Sequence, residues 1–158
     1  MNSVTWKSPL GTIHLAASES GLSALAFAEN WNEVKAKLPP LENRSHKILE
    51  RAIEQLEEYF AGKRKSFSLP LDLQGTPFQQ SAWEALRLIP YGRTATYSEQ
   101  AVAMRNPKAV RAVGAANGRN PVCIVVPCHR VVGADGSLTG YAGGLGVKKA
   151  LLELESGR

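Results

Sequence analysis

A cysteine and a histidine are adjacent in the segment PCHRV (127–131), which follows the apolar run VCIVV (122–126). The apolar run predicts a buried strand, and the end of a strand directs side chains into a cleft. A neighbouring imidazole or cation can lower the pKa of a thiol and raise the fraction of nucleophilic thiolate. The pair Cys128 and His129 therefore indicates nucleophilic chemistry at sulfur, with a buried packing cysteine as the alternative.

The segments around this pair resemble those of a known family. RAVGA (111–115) and Asn120-Pro121 precede the pair, and GYAGGL (140–145) follows it. With these segments in order over about residues 76–155, the chain resembles the O6-alkylguanine-DNA alkyltransferases. The resemblance implies direct-reversal DNA repair, in which the alkyl group on guanine O6 moves irreversibly to Cys128. The protein would act once, as a methylated-DNA–protein-cysteine methyltransferase that needs no cofactor.

The resemblance also assigns roles to residues near the cysteine. His129 would act as a general base through a bridging water, with Glu155 as its orienting partner. Chemistry alone leaves Glu153 equally suitable for that part, and a surface position is the alternative for either carboxylate. Asn120 would hold the active-site turn by hydrogen bonds, although Asn-Pro is also a common turn dipeptide.

Guanine O6 lies inside a stacked duplex, so a thiol reaches it only if the nucleotide rotates out into a pocket. By resemblance, Arg111 would enter through the minor groove and replace the extruded base, and Tyr97 would push the phosphate during extrusion. The carbonyls of Cys128 and Val131 would accept from the guanine amine, and the amide of Ala142 would face O6. The predicted substrate and DNA positions are Tyr97, Lys108, Arg111, Ala112, Ala115, Arg119, Val131, Tyr141 and Ala142.

Two short helices are predicted just upstream of the reactive pair. Thr96 and Glu99 predict a capping box for a helix that ends near Met104, and Asn106 is expected to cap a second helix over 107–118. Two helices this close together predict a helix-turn-helix. An ordinary helical hairpin with a solvated basic edge is the alternative, and the position before PCHR favours the DNA-binding interpretation.

The second of these helices is expected to have two unlike faces. A packing face contains Val110, Val113 and Asn117, and the opposite face contains Lys108, Arg111, Ala112, Ala115 and Arg119. Small residues allow the backbone to approach a duplex closely, and cations suit phosphate or an emptied base position. The second face therefore predicts the DNA contact.

The first part of the chain predicts a small sheet with helices. Residues 1–28 have the turn signals and apolar spacing of a three-stranded antiparallel meander. Asn30 and Glu33 predict a capping box for a short helix, and a longer amphipathic helix is expected over 48–60, ending at Gly62. Thr76 with Gln79 predicts the start of a further helix.

These elements together predict an α+β fold in two domains. Residues 1–70 would form an N-terminal domain with the small antiparallel sheet, ribonuclease H-like by resemblance. Residues 71–158 would form a mainly helical, winged-helix-like domain for DNA binding and methyl transfer. A glycine-rich loop over 133–146 is expected to line the pocket before a final helix.

Composition sets outer bounds on function. The 158 residues carry a net charge of +5, which favours an anionic partner without proving one. No apolar stretch is long enough to span a membrane, and the polar start of the chain with two cysteines predicts a reducing, cytoplasmic location. The cysteines and histidines lack zinc-ligand spacing, so no metal is expected, and Cys123 is interpreted as a packing thiol. The expected partner is double-stranded DNA with O6-alkylguanine, bound by a monomer that can line up with neighbours along DNA.

Two other functions compete with repair. A cysteine hydrolase also needs cysteine and histidine, but no oxyanion-hole signature or distant catalytic histidine is apparent. A DNA-binding module without chemistry, such as a regulator or an alkyltransferase-like lesion sensor, would lack the reactive cysteine, and Cys128 is present. Both alternatives are separable from alkyl transfer by experiment.

Overall fold

The computed structural model describes residues 1–157, and the chain divides into two compact units. The first unit spans Met1–Gln74, and the second begins at Gly75. Within 1–157, none of the helices combines the length and the apolar character needed to cross a bilayer.

The first unit contains a four-stranded sheet with the order β3-β2-β1-β4. β1 (Asn2–Ser8), β2 (Gly11–Ala17) and β3 (Leu22–Phe27) form the predicted antiparallel meander. The expectation of a purely antiparallel, three-stranded sheet is wrong, because β4 (Glu42–Asn43) pairs parallel with β1. This polar two-residue strand has no apolar alternation that a sequence pattern could detect. Backbone hydrogen bonds attach it to β1, and the Ser3 hydroxyl also donates to the Glu42 carbonyl at 3.1 Å.

Two helices accompany this sheet. α1 (Ala28–Lys35) begins directly after β3 with Phe27 at the N-cap and no side-chain cap bond. The predicted Asn30 capping box is wrong, because the helix starts three residues earlier than expected and Asn30 is buried inside the first turn. α2 (Lys47–Phe60) buries the predicted apolar face, and Gly62 adopts the expected left-handed conformation with φ of 75°.

The second unit is mainly helical, with one short pair of strands. Its elements are α3 (Pro77–Arg87), β5 (Ala95–Thr96), α4 (Tyr97–Ala103), α5 (Val110–Gly118), β6 (Val131–Val132) and α6 (Leu145–Glu155). The predicted capping boxes at the starts of α3 and α4 are both present, because Thr76 and Thr96 each exchange two hydrogen bonds with the third helical residue. The parallel pairing of β5 with β6 was not predicted, since each strand has only two residues.

The turn between α4 and α5 differs from the prediction. Arg105 adopts a left-handed φ of 60°, and the backbone amide of Asn106 donates to the Ala101 carbonyl at 2.9 Å. This is the Schellman arrangement that ends a helix, so Asn106 closes α4 and does not cap α5. α5 therefore starts three residues later than expected, with Ala109 at its N-cap and no side-chain cap bond.

A buried polar network joins α3, α4 and α5. The Gln100 and Asn117 side-chain amides exchange hydrogen bonds of 2.9 and 2.8 Å, and Gln100 also donates to the Ala82 carbonyl at 3.1 Å. The Trp83 indole donates to the Ala116 carbonyl at 2.9 Å. Because buried amides are costly without partners, this network defines how the three helices pack and presents the opposite side of α5 to solvent.

Candidate active site

The apolar run before Cys128 is a tight turn and not the predicted strand. Ile124 has a left-handed φ of 71°, and the Val126 amide donates back to the Val122 carbonyl at 3.0 Å. The run is apolar because it is buried, and burial alone does not distinguish a strand from a compact turn. The reactive cysteine therefore follows a chain reversal, which holds it more closely than the free end of a strand would.

The Asn120 side chain forms hydrogen bonds with both ends of this turn. Its Oδ1 accepts from the Val122 amide at 3.0 Å, and its Nδ2 donates to the Val126 carbonyl at 2.8 Å. The side chain is buried, so these bonds form away from competing water. The structure thus places Asn120 where the sequence expected an architectural residue.

Cys128 begins a single turn of 3₁₀ helix, Cys128–Arg130. Its amide donates to the Val126 carbonyl at 2.8 Å, and its side chain lines a cavity of about 470 Å³. Only 5% of the residue surface is exposed, so the sulfur is open to the cavity and shielded elsewhere.

The surroundings of Cys128 lower the pKa of its thiol. The largest cause is a hydrogen bond from the Cys123 side chain, and burial opposes it by disfavouring the charged form. The Asn120 side chain and the positive charge of Lys148 add to the lowering. The result is a larger thiolate fraction at a given pH than for an ordinary cysteine.

His129 and Glu155 form a buried pair behind the cysteine. His129 Nε2 and Glu155 Oε2 lie 2.7 Å apart, and the histidine has no exposed surface. Burial lowers the pKa of His129 more than Glu155 raises it, so the ring is neutral near pH 7. A neutral ring that donates Nε2–H to the carboxylate has its lone pair on Nδ1, which makes no hydrogen bond within residues 1–157.

The cavity gathers residues from several elements. Tyr97 at the start of α4, Arg111 on α5, and Tyr141 and Ala142 in the loop before α6 line it together with Cys128. Its other lining residues are Val110, Gly114, Asn117, Gly118, Thr139 and Gly140. Five of the predicted site residues therefore line one cavity, namely Cys128, Tyr97, Arg111, Tyr141 and Ala142.

The remaining predicted residues lie outside this cavity. Lys108 lies in the turn before α5, and Ala112, Ala115 and Arg119 are exposed on or just after that helix. Val113 and Asn117 are buried as predicted and Val110 is half-buried, so α5 does have a packing face and an exposed face. Across residues 1–157, no three His, Cys, Asp or Glu side chains are grouped to hold a metal ion.

Two family models match the chain and together cover nearly all of it. The 6-O-methylguanine DNA methyltransferase ribonuclease-like domain matches residues 3–73, and the DNA-binding domain of the same family matches residues 77–157. The chain belongs to the 6-O-methylguanine DNA methyltransferase family. The resemblance inferred from the motifs around Cys128 is thereby confirmed.

Curated relatives and solved structures of this methyltransferase family agree. The methylated-DNA–protein-cysteine methyltransferase of Methanosarcina barkeri is 51% identical over 149 residues, covering 94% of this chain and 93% of the relative. The constitutive enzyme of Bacillus subtilis is 48% identical over 153 residues, covering 96% and 93%. The crystal structure of Mycobacterium tuberculosis OGT in complex with DNA aligns with a TM-score of 0.89 at 45% identity, covering 99% and 94%.

Within the site of this methyltransferase, Lys148 is a residue that sequence reasoning missed. Its side chain is fully buried, and Nζ donates to the Val131 carbonyl at 2.6 Å and the Thr139 carbonyl at 2.8 Å. Burial lowers the pKa of Lys148, and the nearby Cys128 raises it. A lysine on the final helix normally indicates solvent exposure, so the sequence carried no signal for this position.

Arg130 was also missed as a functional neighbour. Its guanidinium donates two hydrogen bonds to the Glu155 carboxylate, from Nε at 2.7 Å and from Nη2 at 3.0 Å. Nη1 donates to the Ile89 carbonyl at 2.7 Å. The final helix, α6, buries Lys148 and Glu155 together with the apolar Leu151. These three positions lie on one helical face, and the charged two are buried because each has partners there.

The loop of the site is tied to the start of α4. Thr139 Oγ1 donates to the Tyr97 hydroxyl at 3.1 Å, while the Thr139 carbonyl accepts from Lys148. One threonine therefore connects the cavity wall on the loop with the wall on α4. No motif in the sequence indicated this contact, since it joins residues 42 positions apart.

Proposed function

We propose that this protein repairs O6-alkylguanine in double-stranded DNA by taking the alkyl group onto the sulfur of Cys128. The observation that carries the proposal is a single thiol of lowered pKa that lines a cavity next to a buried histidine–glutamate pair. Relatives about 50% identical over nearly the whole chain are methylated-DNA–protein-cysteine methyltransferases. The protein acts once, because the product is a thioether with no group in the site to remove the alkyl.

The chemistry is a displacement at the alkyl carbon. The Cys128 thiolate donates an electron pair to that carbon, the bond between carbon and guanine O6 breaks, and its electrons return to the base. The departing guanine takes up a proton, so the products are S-alkylcysteine and ordinary guanine. No oxidant, reductant or cofactor enters this balance.

His129 receives the thiol proton in the proposed mechanism. Its Nε2–H donates to Glu155, so the ring presents Nδ1 as an acceptor, and the transfer from Cys128 runs through a bridging water. Glu155 orients the ring and balances the charge that the ring acquires. Arg130 holds the carboxylate in place through two hydrogen bonds.

We propose that α4 and α5 act as a helix-turn-helix within a winged-helix-like domain. The exposed side of α5 carries the small residues Ala112 and Ala115, which let the helix backbone approach the duplex. Lys108 and Arg119, near the two ends of α5, contact phosphates. Arg111 is exposed and also lines the cavity, so it can occupy the space of a nucleotide that has rotated towards Cys128.

The flipped guanine is held by the cavity walls and by Val131 of β6, which is buried and is not among the residues that line the cavity. The carbonyls of Cys128 and Val131 accept from its amine, and the Ala142 amide faces O6, with Tyr141 beside it in the same loop. The Val131 carbonyl already accepts from Lys148, and a carbonyl oxygen has a second lone pair for the base. Tyr97 acts at the phosphate and guanine N3 during extrusion.

We retain the predicted organisation into a ribonuclease H-like domain over 1–70 and a DNA-binding and methyltransferase domain over 71–158. It is supported by the division of the chain into two compact units after Gln74 and by family models over 3–73 and 77–157. The proposed working state is a monomer in the cytoplasm, where both thiols stay reduced.

The proposal is tested by intact mass spectrometry after mixing the protein with a duplex that contains one O6-methylguanine. We expect one methyl increment, mapped by peptide analysis to Cys128, and no increment with the same duplex carrying guanine. Retained binding without an increment would support the lesion-sensor alternative. Repeated turnover of an activated ester would support the hydrolase alternative.

Changing Arg111 to alanine (R111A) tests base extrusion separately from chemistry. Because only a duplex requires a nucleotide to rotate out, we expect transfer from duplex to slow by roughly ten- to a hundred-fold, as for the loss of about 1.4–2.7 kcal/mol. Transfer from the free modified base should change by less than about two-fold, and Arg119→Ala is the control for lost charge on the same surface. Equal losses on both substrates would contradict the role of Arg111.

A further inference from the structure

A threonine in the loop before α6 is held from two sides. Its hydroxyl oxygen lies 3.1 Å from the Tyr97 hydroxyl oxygen at the start of α4, and its carbonyl accepts from Lys148 Nζ at 2.8 Å. This residue, Thr139, lines the Cys128 cavity together with Tyr97. Thr139 is exposed and Tyr97 is half-buried, so DNA can approach this pair of side chains from solvent.

A buried cation fixes the backbone of Thr139. Lys148 has no exposed surface, and its Nζ also donates to the Val131 carbonyl at 2.6 Å, so one ammonium group joins the loop to β6. The loop continues from Thr139 with Gly140 and contains the pair Gly143-Gly144, and glycine leaves the backbone with more conformational freedom than other residues. The bond to Lys148 therefore gives Thr139 a defined position in a segment whose composition favours flexibility.

The chemistry of the two hydroxyls fixes the direction of their hydrogen bond once DNA is bound. A tyrosine hydroxyl has one proton to donate and an oxygen that accepts, whereas the oxygens of a DNA phosphate can only accept. When Tyr97 donates its proton to a phosphate, its oxygen is left as an acceptor, and Thr139 Oγ1 is then the donor between the two residues. Hydrogen bonds in such a chain polarise one another, so the bond from Thr139 makes the Tyr97 hydroxyl a stronger donor.

We propose that Thr139 is a positioning residue for base extrusion, whose hydroxyl donates to the Tyr97 hydroxyl and directs the Tyr97 proton to a DNA phosphate. This inference rests on the proposed function, in which Tyr97 acts at the phosphate while the nucleotide rotates out. Thr139 acts through Tyr97, and its hydroxyl takes no part in the displacement at Cys128. Its contribution is therefore to transfer from duplex DNA, because the free modified base has no phosphate for Tyr97 to contact.

Four variants separate the hydroxyl of Thr139 from its size and test its partner. Thr139→Val removes the hydroxyl and keeps the volume and the β-branch, whereas Thr139→Ser keeps the hydroxyl. Tyr97→Phe removes the acceptor of the bond, and the double variant T139V/Y97F shows whether Thr139 acts through Tyr97. The control is Thr5→Val, which makes the same atomic change as Thr139→Val at an exposed position of β1 in the first unit.

Single-turnover methyl transfer is measured for each variant with an O6-methylguanine duplex and with free O6-methylguanine. We expect T139V to slow transfer from the duplex by about three- to ten-fold, as for the loss of one hydrogen bond, and to change transfer from the free base by less than about two-fold. T139S and T5V should stay within about two-fold of the unaltered protein on both substrates. Y97F should lose at least as much as T139V on the duplex, and adding T139V to Y97F should slow transfer by less than about 1.5-fold further.

Equal losses of T139V on the duplex and on the free base would overturn the proposal, because they would indicate that Thr139 only shapes the cavity. A full T139V loss in the Y97F background would also overturn it, as would unimpaired duplex transfer by T139V or by Y97F, or a T139S protein as slow as T139V. Thermal melting establishes that each variant is folded, and Thr139 is exposed, so its variants leave the core unchanged. Absence of transfer by the unaltered protein from either substrate would instead refute the proposed function.

Discussion

Replacing Cys128 by serine (C128S) is expected to abolish methyl transfer, with a rate loss on the order of a thousand-fold or more. A hydroxyl remains almost fully protonated in surroundings that ionise a thiol, and the hydroxyl oxygen is a poor nucleophile until it loses that proton. Intact mass after incubation with an O6-methylguanine duplex should show no increment over hours. The same duplex should still bind, because Cys128 contributes only one wall of the cavity.

The second cysteine supplies a matched control for this experiment. C123S makes the same atomic change five residues away, at a residue that does not line the cavity, and should still accept one methyl group. If C128S still gained a methyl group, or if C123S alone lost the ability, Cys128 would not be the acceptor. Retained lesion binding by C128S would also make that variant a trap for the complex before transfer.

Local hydrogen bonding explains which elements could be predicted from the sequence. The boxes that start α3 and α4 depend on a threonine and a residue three positions later, so their signals are contained in the sequence itself. Asn106 fits the same local rule, but the prediction that it caps α5 was wrong. Its backbone amide instead donates to the Ala101 carbonyl in the Schellman turn at Arg105, which ends α4. A cap residue that ends one helix resembles a cap residue that begins the next.

The site shows a similar division between local and distant causes. Cys128 and Asn120 carry recognisable sequence signals, since one is flanked by proline and histidine and the other precedes a proline. Lys148 and Arg130 carry none, because their roles depend on acceptors 17 and 25 positions away, at Val131 and Glu155. Buried charges are defined by tertiary partners, and composition predicts only that such residues are normally exposed.

The strand predicted over 122–126 was wrong for a third reason. Its five apolar residues match a buried strand by pattern, and neither a glycine nor an asparagine announces the reversal at Ile124. Sequence rules expect a positive φ mainly at glycine and asparagine, which adopt it at little cost. A strained positive φ at an isoleucine is therefore not predicted. The turn leads directly into Cys128, whose amide donates to the Val126 carbonyl at 2.8 Å, so the missed element holds the residue that accepts the alkyl group.

Changing Glu155 to glutamine (E155Q) is expected to have the largest effect on stability. The carboxylate accepts from His129 and twice from Arg130 while only 6% of the residue is exposed. Glutamine keeps the size but removes the charge, so a buried guanidinium loses its counter-charge. Breaking a buried ion pair in this way costs about 3–5 kcal/mol, which corresponds to a melting temperature roughly 10 °C lower.

The same change should slow methyl transfer on the order of a hundred-fold at neutral pH, because Glu155 orients His129 and balances its charge. Glu153→Gln is the matched control, since it makes an identical change on the exposed side of the same helix. Calorimetry should give E153Q a free energy of unfolding within about 0.5 kcal/mol of that of the unaltered protein. Its single-turnover rate of methyl transfer should also stay within about two-fold. A large loss in E153Q and none in E155Q would assign the orienting role to Glu153 instead.

The pH dependence of the stability gives a further check, and its direction follows from the lowered pKa of His129. Its pKa is lower in the folded protein than the ordinary 6.5, so the unfolded chain binds more protons between the two values. Stability from this residue is therefore complete above pH 6.5 and is lost as the pH falls towards the folded value. Glu155 raises the folded pKa, so E155Q lowers it further and extends the loss to more acidic pH. Melting curves from pH 8 to pH 5 should accordingly diverge between E155Q and E153Q, and parallel curves would show that the carboxylate of Glu155 does not act on the imidazole.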